Sequence, residues 1–235
     1  MRALLLFIAA IGVAAQEVSV EDAMHMATAG RLRETETALR TLATKNPRDF
    51  DLRYRLGLIL VKQNKLDDAA KVLIEATRIN PGFSFAWLAL GDVSFRRGDK
   101  ATAMAHAKRA RERAGNSVMA WNALAVLDER IGDPAGQALA LEALVRLVPQ
   151  DREYCVHLTN LLLEHRNSDA AQSVAESGLG RFPNDPELLR LRGLAWYGMG
   201  RKDEAIDAFL SAMDAATTRR GGACIHRDVS AGYRQ

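Results

Sequence analysis

Proline and small residues recur along the chain with a period of 34 residues. Four prolines share one phase of this period: Pro47, Pro81, Pro149 and Pro183. The member missing from that series is occupied by Gly115. Counted from residue 16, six repeats of 34 residues run to residue 219 without insertion or deletion: 16–49, 50–83, 84–117, 118–151, 152–185 and 186–219. A fixed period of this length indicates a chain built from stacked supersecondary units.

Two positions in each repeat carry mostly small residues, and they predict two helices that approach closely. The eighth position holds Ala23, Gly57, Gly91, Ala125, Thr159 and Gly193. The twentieth position holds Thr35, Ala69, Ala103, Gln137, Ala171 and Ala205. Small residues at facing positions reduce the distance at which two helices can pack. Positions 20, 24 and 27 are mostly small or apolar, and their i, i+4, i+7 spacing forms one helix face.

The fifteenth position marks the predicted end of the first helix in each repeat. It holds Gly30, Asn64, Gly98, Gly132, Arg166 and Gly200. Glycine and asparagine suit the left-handed conformation that commonly ends a helix. The proline at position 32 cannot continue the second helix. Each repeat is therefore predicted to be a helix, a short turn and a second helix.

The residues at these positions resemble those of the tetratricopeptide repeat (TPR) family. The matching residues in the second, third and sixth repeats are Leu56, Gly57, Ala69, Leu73, Ala76, Pro81, Trp87, Leu90, Gly91, Ala103, Ala110, Gly193, Ala205, Phe209 and Ala212. The resemblance implies an all-α fold, a right-handed superhelical α-solenoid of six helix-turn-helix TPR units over residues 16–219. The first repeat departs most from the family, with Ser19 and Asp22 at usually apolar positions, as expected of a polar outer cap.

The two ends of the chain lie outside the repeats. Residues 1–15, MRALLLFIAAIGVAA, have one arginine before an apolar run, and Val13 and Ala15 are small residues before a cleavage point. This pattern predicts a secretory signal peptide. The 13-residue run spans about 20 Å as a helix, short of a bilayer core of about 30 Å, so an inner-membrane anchor at residues 3–15 is the weaker alternative. Residues 220–235 are glycine-rich and polar, and we predict that they are disordered.

Charge and motif content argue against several classes of function. The 32 basic residues nearly balance the 29 acidic ones, and the net charge of +3 comes without a clustered basic patch, so we expect no nucleic-acid binding. The chain has no nucleophile elbow and no set of four metal ligands at a recognised spacing. We therefore expect no enzyme activity, metal, cofactor or small-molecule substrate. The sequence leaves open whether Cys155 and Cys224 pair.

In the TPR family, positions 2, 5, 9, 12 and 13 of each repeat usually point into a concave groove, which is the expected partner-binding site. The candidate groove residues are Tyr54, Phe85, Leu88, Asp92, Phe95, Met119, Asn122, Asn160, Arg190 and Tyr197. The aromatic and apolar members can receive side chains of a peptide or helix, and Asn122 and Asn160 can hydrogen-bond an extended backbone. The alternative for an apolar member such as Leu88 is burial between helices. Position 5 lacks the lysine with which chaperone-binding TPR proteins clamp a C-terminal carboxylate, so a heat-shock tail is not expected.

The expected function is a non-enzymatic scaffold or adaptor in the cell envelope that binds a segment of another protein. Resemblance to exported bacterial TPR proteins implies a periplasmic role in assembling pilus or secretion complexes, including Tad-type pilus systems, with peripheral association with a membrane complex. The alternative is a periplasmic holdase for unfolded exported chains, as in the TPR modules of cytochrome c maturation. A single stoichiometric partner favours the scaffold, and many unfolded clients favour the holdase.

Overall fold

The computed structural model describes the backbone of residues 18–231 and the side chains of residues 18–218. Every regular element in this range is an α-helix, and the described residues contain no strand. The prediction of an all-α fold is therefore confirmed. The twelve helices of this range fall into two compact units, the first ending at Ile79 and the second beginning at Asn80.

The first unit contains the helices of the first two repeats. They are α1 Val20–Thr28, α2 Leu32–Lys45, α3 Phe50–Lys62 and α4 Leu66–Ile79. Each helix packs against the next along the chain, and Leu39 and Leu60 are fully buried between them. Gly57 lies where α3 meets α4, because a Cβ placed there would be 2.6 Å from Cγ of Leu73. The small eighth position is thus required by close helix packing in this repeat.

The second unit contains the helices of repeats three to six. They are α5 Ser84–Arg96, α6 Lys100–Arg111, α7 Val118–Ile131, α8 Pro134–Leu147, α9 Arg152–Glu164, α10 Ser168–Arg181, α11 Pro186–Gly198 and α12 Lys202–Ala231. Consecutive helices pack together, and α5 also packs against α7 and α9 against α11. Part of the core is a cluster in which Cys155, a buried free thiol, lies with Val156, Leu188 and Leu191.

The helix starts follow the 34-residue frame. The first helices of repeats two to six begin at residues 50, 84, 118, 152 and 186, the first position of each repeat. All six second helices begin at the seventeenth position. Asp49, Ser117, Asp151 and Asp185 each precede a first helix and accept hydrogen bonds from backbone N–H groups of its first turn. These side chains satisfy donors that a helix start would otherwise leave free.

The predicted left-handed turn at the fifteenth position is confirmed in all six repeats. Four of these residues are glycines, and Asn64 and Arg166 also have positive φ, at 60° and 57°. The turn at Arg166 is closed by two backbone bonds, with the Arg166 N–H donating to Leu163 and the Asn167 N–H to Leu162, at 3.0 and 2.8 Å. This pair of bonds is the Schellman arrangement, which satisfies the last carbonyl groups of α9.

The polar residues at the start of the first repeat form a helix cap. The Ser19 side chain accepts a hydrogen bond from the Asp22 N–H at 3.1 Å, and the Ser19 N–H donates to the Asp22 carboxylate at 3.0 Å. The side-chain hydrogen bond from Ser19 is the main reason that the pKa of Asp22 lies below its ordinary value. This reciprocal capping box explains why the first repeat departs from the apolar pattern here.

The C-terminal tail differs from the sequence prediction. Helix α12 continues to Ala231, so residues 220–231 are helical where disorder is predicted. Extending an existing helix adds backbone hydrogen bonds without a new nucleation step, which offsets a cost of about 1 kcal/mol for each of Gly221 and Gly222. The predicted signal peptide, residues 1–15, lies outside the described residues. Among the helices that the structure describes, none is both long and apolar enough to cross a membrane.

Candidate partner-binding cleft

The first helices of repeats four and five stand apart and leave a cleft. Within the described chain, α7 and α9 do not make the close contact that joins α5 to α7 and α9 to α11. The space between them is a cleft of about 650 Å³. Gln137 lines it and occupies the twentieth position, where four other repeats have alanine. Gln137 thus adds a long side chain to the cleft at a position where most repeats have a small one.

A side-chain hydrogen bond links the two walls of the cleft. The hydroxyl of Tyr154 on α9 lies 3.1–3.2 Å from both amide atoms of Asn122 on α7. The Asn122 amide nitrogen also donates to the backbone carbonyl of Val118 at 3.1 Å. Asn122 therefore lines the cleft, and part of its hydrogen-bonding capacity is used by Tyr154. The sequence did not indicate Tyr154, which lies at position 3 of its repeat.

Two other amide side chains in the cleft have their hydrogen-bonding groups open. Asn160, predicted as a groove residue, is half-buried in the cleft wall, and Gln137 is half-buried beside it. Neither side-chain amide makes a hydrogen bond to any other described residue. A primary amide carries both donors and an acceptor, which match the N–H and C=O groups of an extended peptide. These two residues are the strongest indication of what the cleft can bind.

The charges of the cleft disfavour acidic peptides. Glu129 and Glu164 are exposed carboxylates in its lining, together with His157 and His165. No lysine or arginine lines this cleft in the described structure. Because like charges repel, an acidic segment or a free C-terminal carboxylate is disfavoured.

Two predicted groove residues of repeat three are engaged by the next repeat. Asp92 forms an ion pair with Arg130 of α7, in which Nη1 of Arg130 lies 2.6 Å from Oδ1 of Asp92. The Arg130 guanidinium also lies 5.2 Å from the centre of the Phe95 ring, within cation–π distance. Asp92 and Phe95 therefore help to hold α5 against α7. Phe85 lies on the same helix, half-buried, with its ring centre 5.7 Å from that of Phe83.

The remaining predicted residues differ in exposure. Leu88 is only 8% exposed and belongs to the core. Met119 and Tyr197 are 72% and 64% exposed, and Arg190 pairs with Glu187 at 2.6 Å. Tyr54 belongs to the first unit, where burial raises the pKa of its hydroxyl. Its place in a partner-binding groove stays a prediction.

A buried ion cluster lies at the edge of the cleft. Asp128 of α7 is wholly buried, and its Oδ2 lies 2.6 Å from Nη1 of Arg111 on α6. Nη2 of Arg111 lies 3.6 Å from Oδ2 of Asp133, which caps α8 and lines the cleft. Burial raises the pKa of Asp128 from 3.8 to about 6, against the opposing effect of Arg111. The cluster fixes α6, α7 and the start of α8 relative to one another.

The side chains that line the cleft are mostly amides, carboxylates, histidines and apolar groups. In the described part of the chain, no three histidine, cysteine, aspartate or glutamate side chains are placed to share a metal ion. Its lining instead offers amides, a tyrosine hydroxyl and exposed apolar surface such as Val126. These are groups that bind another chain by hydrogen bonds and side-chain contact.

Comparison with solved structures identifies similar folds. The C-terminal part of a TPR repeat-containing protein from Cytophaga hutchinsonii matches with a TM-score of 0.57 and 14% identity, over 85% of this chain and 80% of that one. The Naa15/Naa10 complex bound to HypK matches with a TM-score of 0.56 and 17% identity, over 92% and 42%. YrrB, described as a TPR protein with an unusual peptide-binding site, matches with a TM-score of 0.53 and 16% identity, over 76% and 92%. At these identities the likeness concerns the fold alone.

The family itself is established from the sequence. No curated protein matches the chain. A tetratricopeptide repeat family model matches residues 27–83, 60–118, 88–152 and 158–219, which together cover most of the chain. These segments fall within the six predicted repeats, and the helix pairs described above occupy them. The chain therefore belongs to the tetratricopeptide repeat family.

Proposed function

We propose that this protein is a non-enzymatic scaffold that holds an extended segment of a partner protein in the α7–α9 cleft. The observation that carries the proposal is the pair of open amides, Asn160 and Gln137, in a cleft of about 650 Å³. TPR folds are protein-interaction scaffolds, and the similar structures include a peptide-binding protein and a subunit bound to HypK. Those partners belong to those proteins, but they support the same kind of ligand here.

The lining of the cleft narrows the chemistry of the partner segment. Successive side chains of an extended peptide point to opposite sides, so one set faces the cleft floor while the backbone faces the amides. Val126, which is 56% exposed, offers an apolar contact for such a side chain. Glu129 and Glu164 favour a neutral or basic segment over an acidic one.

The cell envelope is the proposed site of action. The apolar run at residues 3–15 and the small residues Val13 and Ala15 support export. In that compartment the scaffold would bring a subunit to a pilus or secretion complex, in peripheral contact with the membrane assembly. Mass spectrometry of the envelope fraction should find a mature chain that begins at Gln16. A protein that retains Met1 in the cytosol would contradict the proposed compartment.

A holdase is the second candidate, and exposed apolar side chains favour it. Met119, Val126 and Tyr197 on the first helices are all more than half exposed and can contact unfolded chains without sequence preference. The two functions differ in the number of bound proteins. Recovery of the protein from its host should bring one stoichiometric partner for a scaffold and many unfolded clients for a holdase.

The cleft is tested by Asn160→Ala. Because no other described residue hydrogen-bonds the Asn160 amide, its loss should change the free energy of unfolding by about 0.5 kcal/mol or less. Loss of one or two hydrogen bonds to the partner should weaken binding by about 1 kcal/mol, or roughly fivefold. Binding of the recovered partner is measured beside thermal unfolding, with Ser173→Ala on the outer face of α10 as the control. Unchanged binding, or a large fall in melting temperature, would exclude this role for Asn160.

A further inference from the structure

A second groove lies in the second-helix layer, away from the cleft. It is formed by α6, α8 and the first turn of α7, has a volume of about 410 Å³, and has Trp121 in its wall. Leu139, which is 54% exposed, adds apolar surface, and Ala143, which is 5% exposed, also lines the groove. None of the residues that line this groove also lines the α7–α9 cleft.

In the preceding repeat, the tryptophan at the equivalent position is covered by neighbouring side chains. Trp87 is the equivalent of Trp121 and is only 8% exposed. The guanidinium of Arg109 lies 4.9 Å from its ring centre and that of Arg113 lies 5.4 Å away, with the His106 ring at 5.7 Å. One period later these three covering residues are replaced by shorter side chains: Ala143, Leu147 and Ala140. Of the three replacements, Ala143 lines the groove beside Trp121, at the position equivalent to Arg109.

The charges around the groove are mainly basic. Helix α6 carries four basic residues and no acidic one. In the groove, Arg111 forms an ion pair with Asp128, and Glu112 forms one with Arg113. Lys108 and Arg146 have no ion-pair partner among the described residues. Of the two carboxylates that line the groove, only Glu142 likewise has no ion-pair partner there. The groove therefore combines a half-buried tryptophan with two unpaired cations and one unpaired carboxylate, a net excess of positive charge.

We propose that this groove docks an acidic segment of a partner protein, with an aromatic or large aliphatic side chain against Trp121. The apolar wall takes the place of the side chains that cover Trp87, and Lys108 and Arg146 pair with carboxylates that flank the inserted residue. The charge preference is opposite to that of the α7–α9 cleft, whose described lining has no lysine or arginine. The two surfaces would therefore bind different segments, which suits a protein that brings two components together.

The test is a selection from a random library of 12-residue peptides displayed on mRNA, with the purified full chain as bait. Enriched peptides should contain an aromatic or large aliphatic residue beside aspartate or glutamate. Lys108→Glu/Arg146→Glu should weaken a selected acidic peptide at least about tenfold, because two attractive contacts become repulsive. Arg33→Glu/Lys202→Glu makes the same change of net charge at two other exposed sites and should leave its affinity within about twofold, as screened distant charges do. Asn160→Ala should also leave it unchanged, which separates this groove from the cleft.

A plugging variant provides an independent test. Ala143→Arg restores the residue that covers the tryptophan in repeat three, so its guanidinium should lie on Trp121 and occupy the groove. We expect loss of acidic-peptide binding with a melting temperature that is unchanged or higher. The proposal would be overturned if the selected peptides were not enriched in aspartate or glutamate. It would also be overturned if neither Ala143→Arg nor Lys108→Glu/Arg146→Glu changed peptide binding. Binding of a 20-nucleotide oligothymidine in the peptide's place, abolished by Lys108→Glu/Arg146→Glu, would also overturn it and assign the groove to single-stranded nucleic acid.

Discussion

Replacing Arg111 by methionine should lower the free energy of unfolding by about 3–5 kcal/mol at pH 7. The substitution keeps much of the aliphatic volume but removes the guanidinium that lies 2.6 Å from Asp128 and 3.6 Å from Asp133. Asp128 is wholly buried, and its Oδ1 has no other partner within the described residues. Its carboxylate would then be buried without a compensating charge. Denaturant unfolding of the variant and the wild type measures the difference.

The same cluster predicts a pH dependence of stability. Burial raises the folded-state pKa of Asp128 to about 6, above the ordinary value of 3.8. Its contribution to stability is therefore fully present below about pH 4 and is lost as the pH rises through about 6. For a difference of about two pKa units, this loss is at most about 3 kcal/mol.

Asp128→Asn separates this effect from that of other carboxyl groups. Because Asn does not titrate, the variant should lack the loss of stability that Asp128 causes between pH 4 and 7. It should also restore part of the stability of Arg111→Met at pH 7, since no charge is then left buried. Identical pH profiles for Asp128→Asn and the wild type would contradict the assignment. A loss below about 1 kcal/mol for Arg111→Met would do the same.

Gly91→Leu should destabilise the second unit by about 3 kcal/mol through overpacking. The sequence placed the closest approach of Gly91 within its own repeat, but the structure places it against the next one. A Cβ at residue 91 would lie 2.8 Å from Leu127 of α7, whereas the backbone of α6 is at ordinary contact distance, 3.6 Å from the Ala103 oxygen. The added side chain must therefore push α5 away from α7.

Hydrogen exchange should show where Gly91→Leu acts. We expect faster exchange in α5 and α7 than in α11, because repeats of this kind contact mainly their neighbours. Gly180→Ala is the matched control, since nothing lies within 4 Å of a Cβ at that helical position. Alanine there should stabilise the protein by about 0.5–1 kcal/mol through its helix propensity. Unchanged protection of α5 and α7 in Gly91→Leu would show that the contact is not tight.

The fold could be predicted from the sequence because its signals are local and repeated. Left-handed turns recur in all six repeats, and helix starts and small positions in most of them, so one irregular residue does not hide the period. Arg166 shows this, since arginine does not by itself suggest a left-handed turn, yet its position in the repeat does. The signal at Ser19 and Asp22 was also local, but its meaning as a capping box depends on where the first helix begins.

The cleft and the ion cluster depend on relations between repeats, which the period does not describe. The separation of α7 from α9 was signalled only by Gln137 at a position of small residues. The buried pair had a clearer signal. Asp128 is the one acidic residue at position 11 of the six repeats, and Arg111 is the one charged residue at position 28. Two opposite charges that replace mostly uncharged residues in adjacent repeats indicate a contact between them.

The predicted groove residues differ in how far neighbouring helices cover them. Asn160 and Asn122 line the cleft between α7 and α9, and their role in partner binding stays a prediction. Leu88 was assigned by the same rule but is buried. One position can therefore be core in one repeat and surface in another.

Site-specific photo-crosslinking in the living host tests most directly whether the α7–α9 cleft holds a partner segment. A photoreactive phenylalanine derivative replaces His157 in the cleft or, as the control, Glu176 on the exposed surface of α10. Light should convert the His157 variant to one discrete adduct with a single partner, and Asn160→Ala should reduce its yield, while Glu176 should give none. No adduct at His157, or the same adducts from both positions, would contradict a partner segment bound in this cleft.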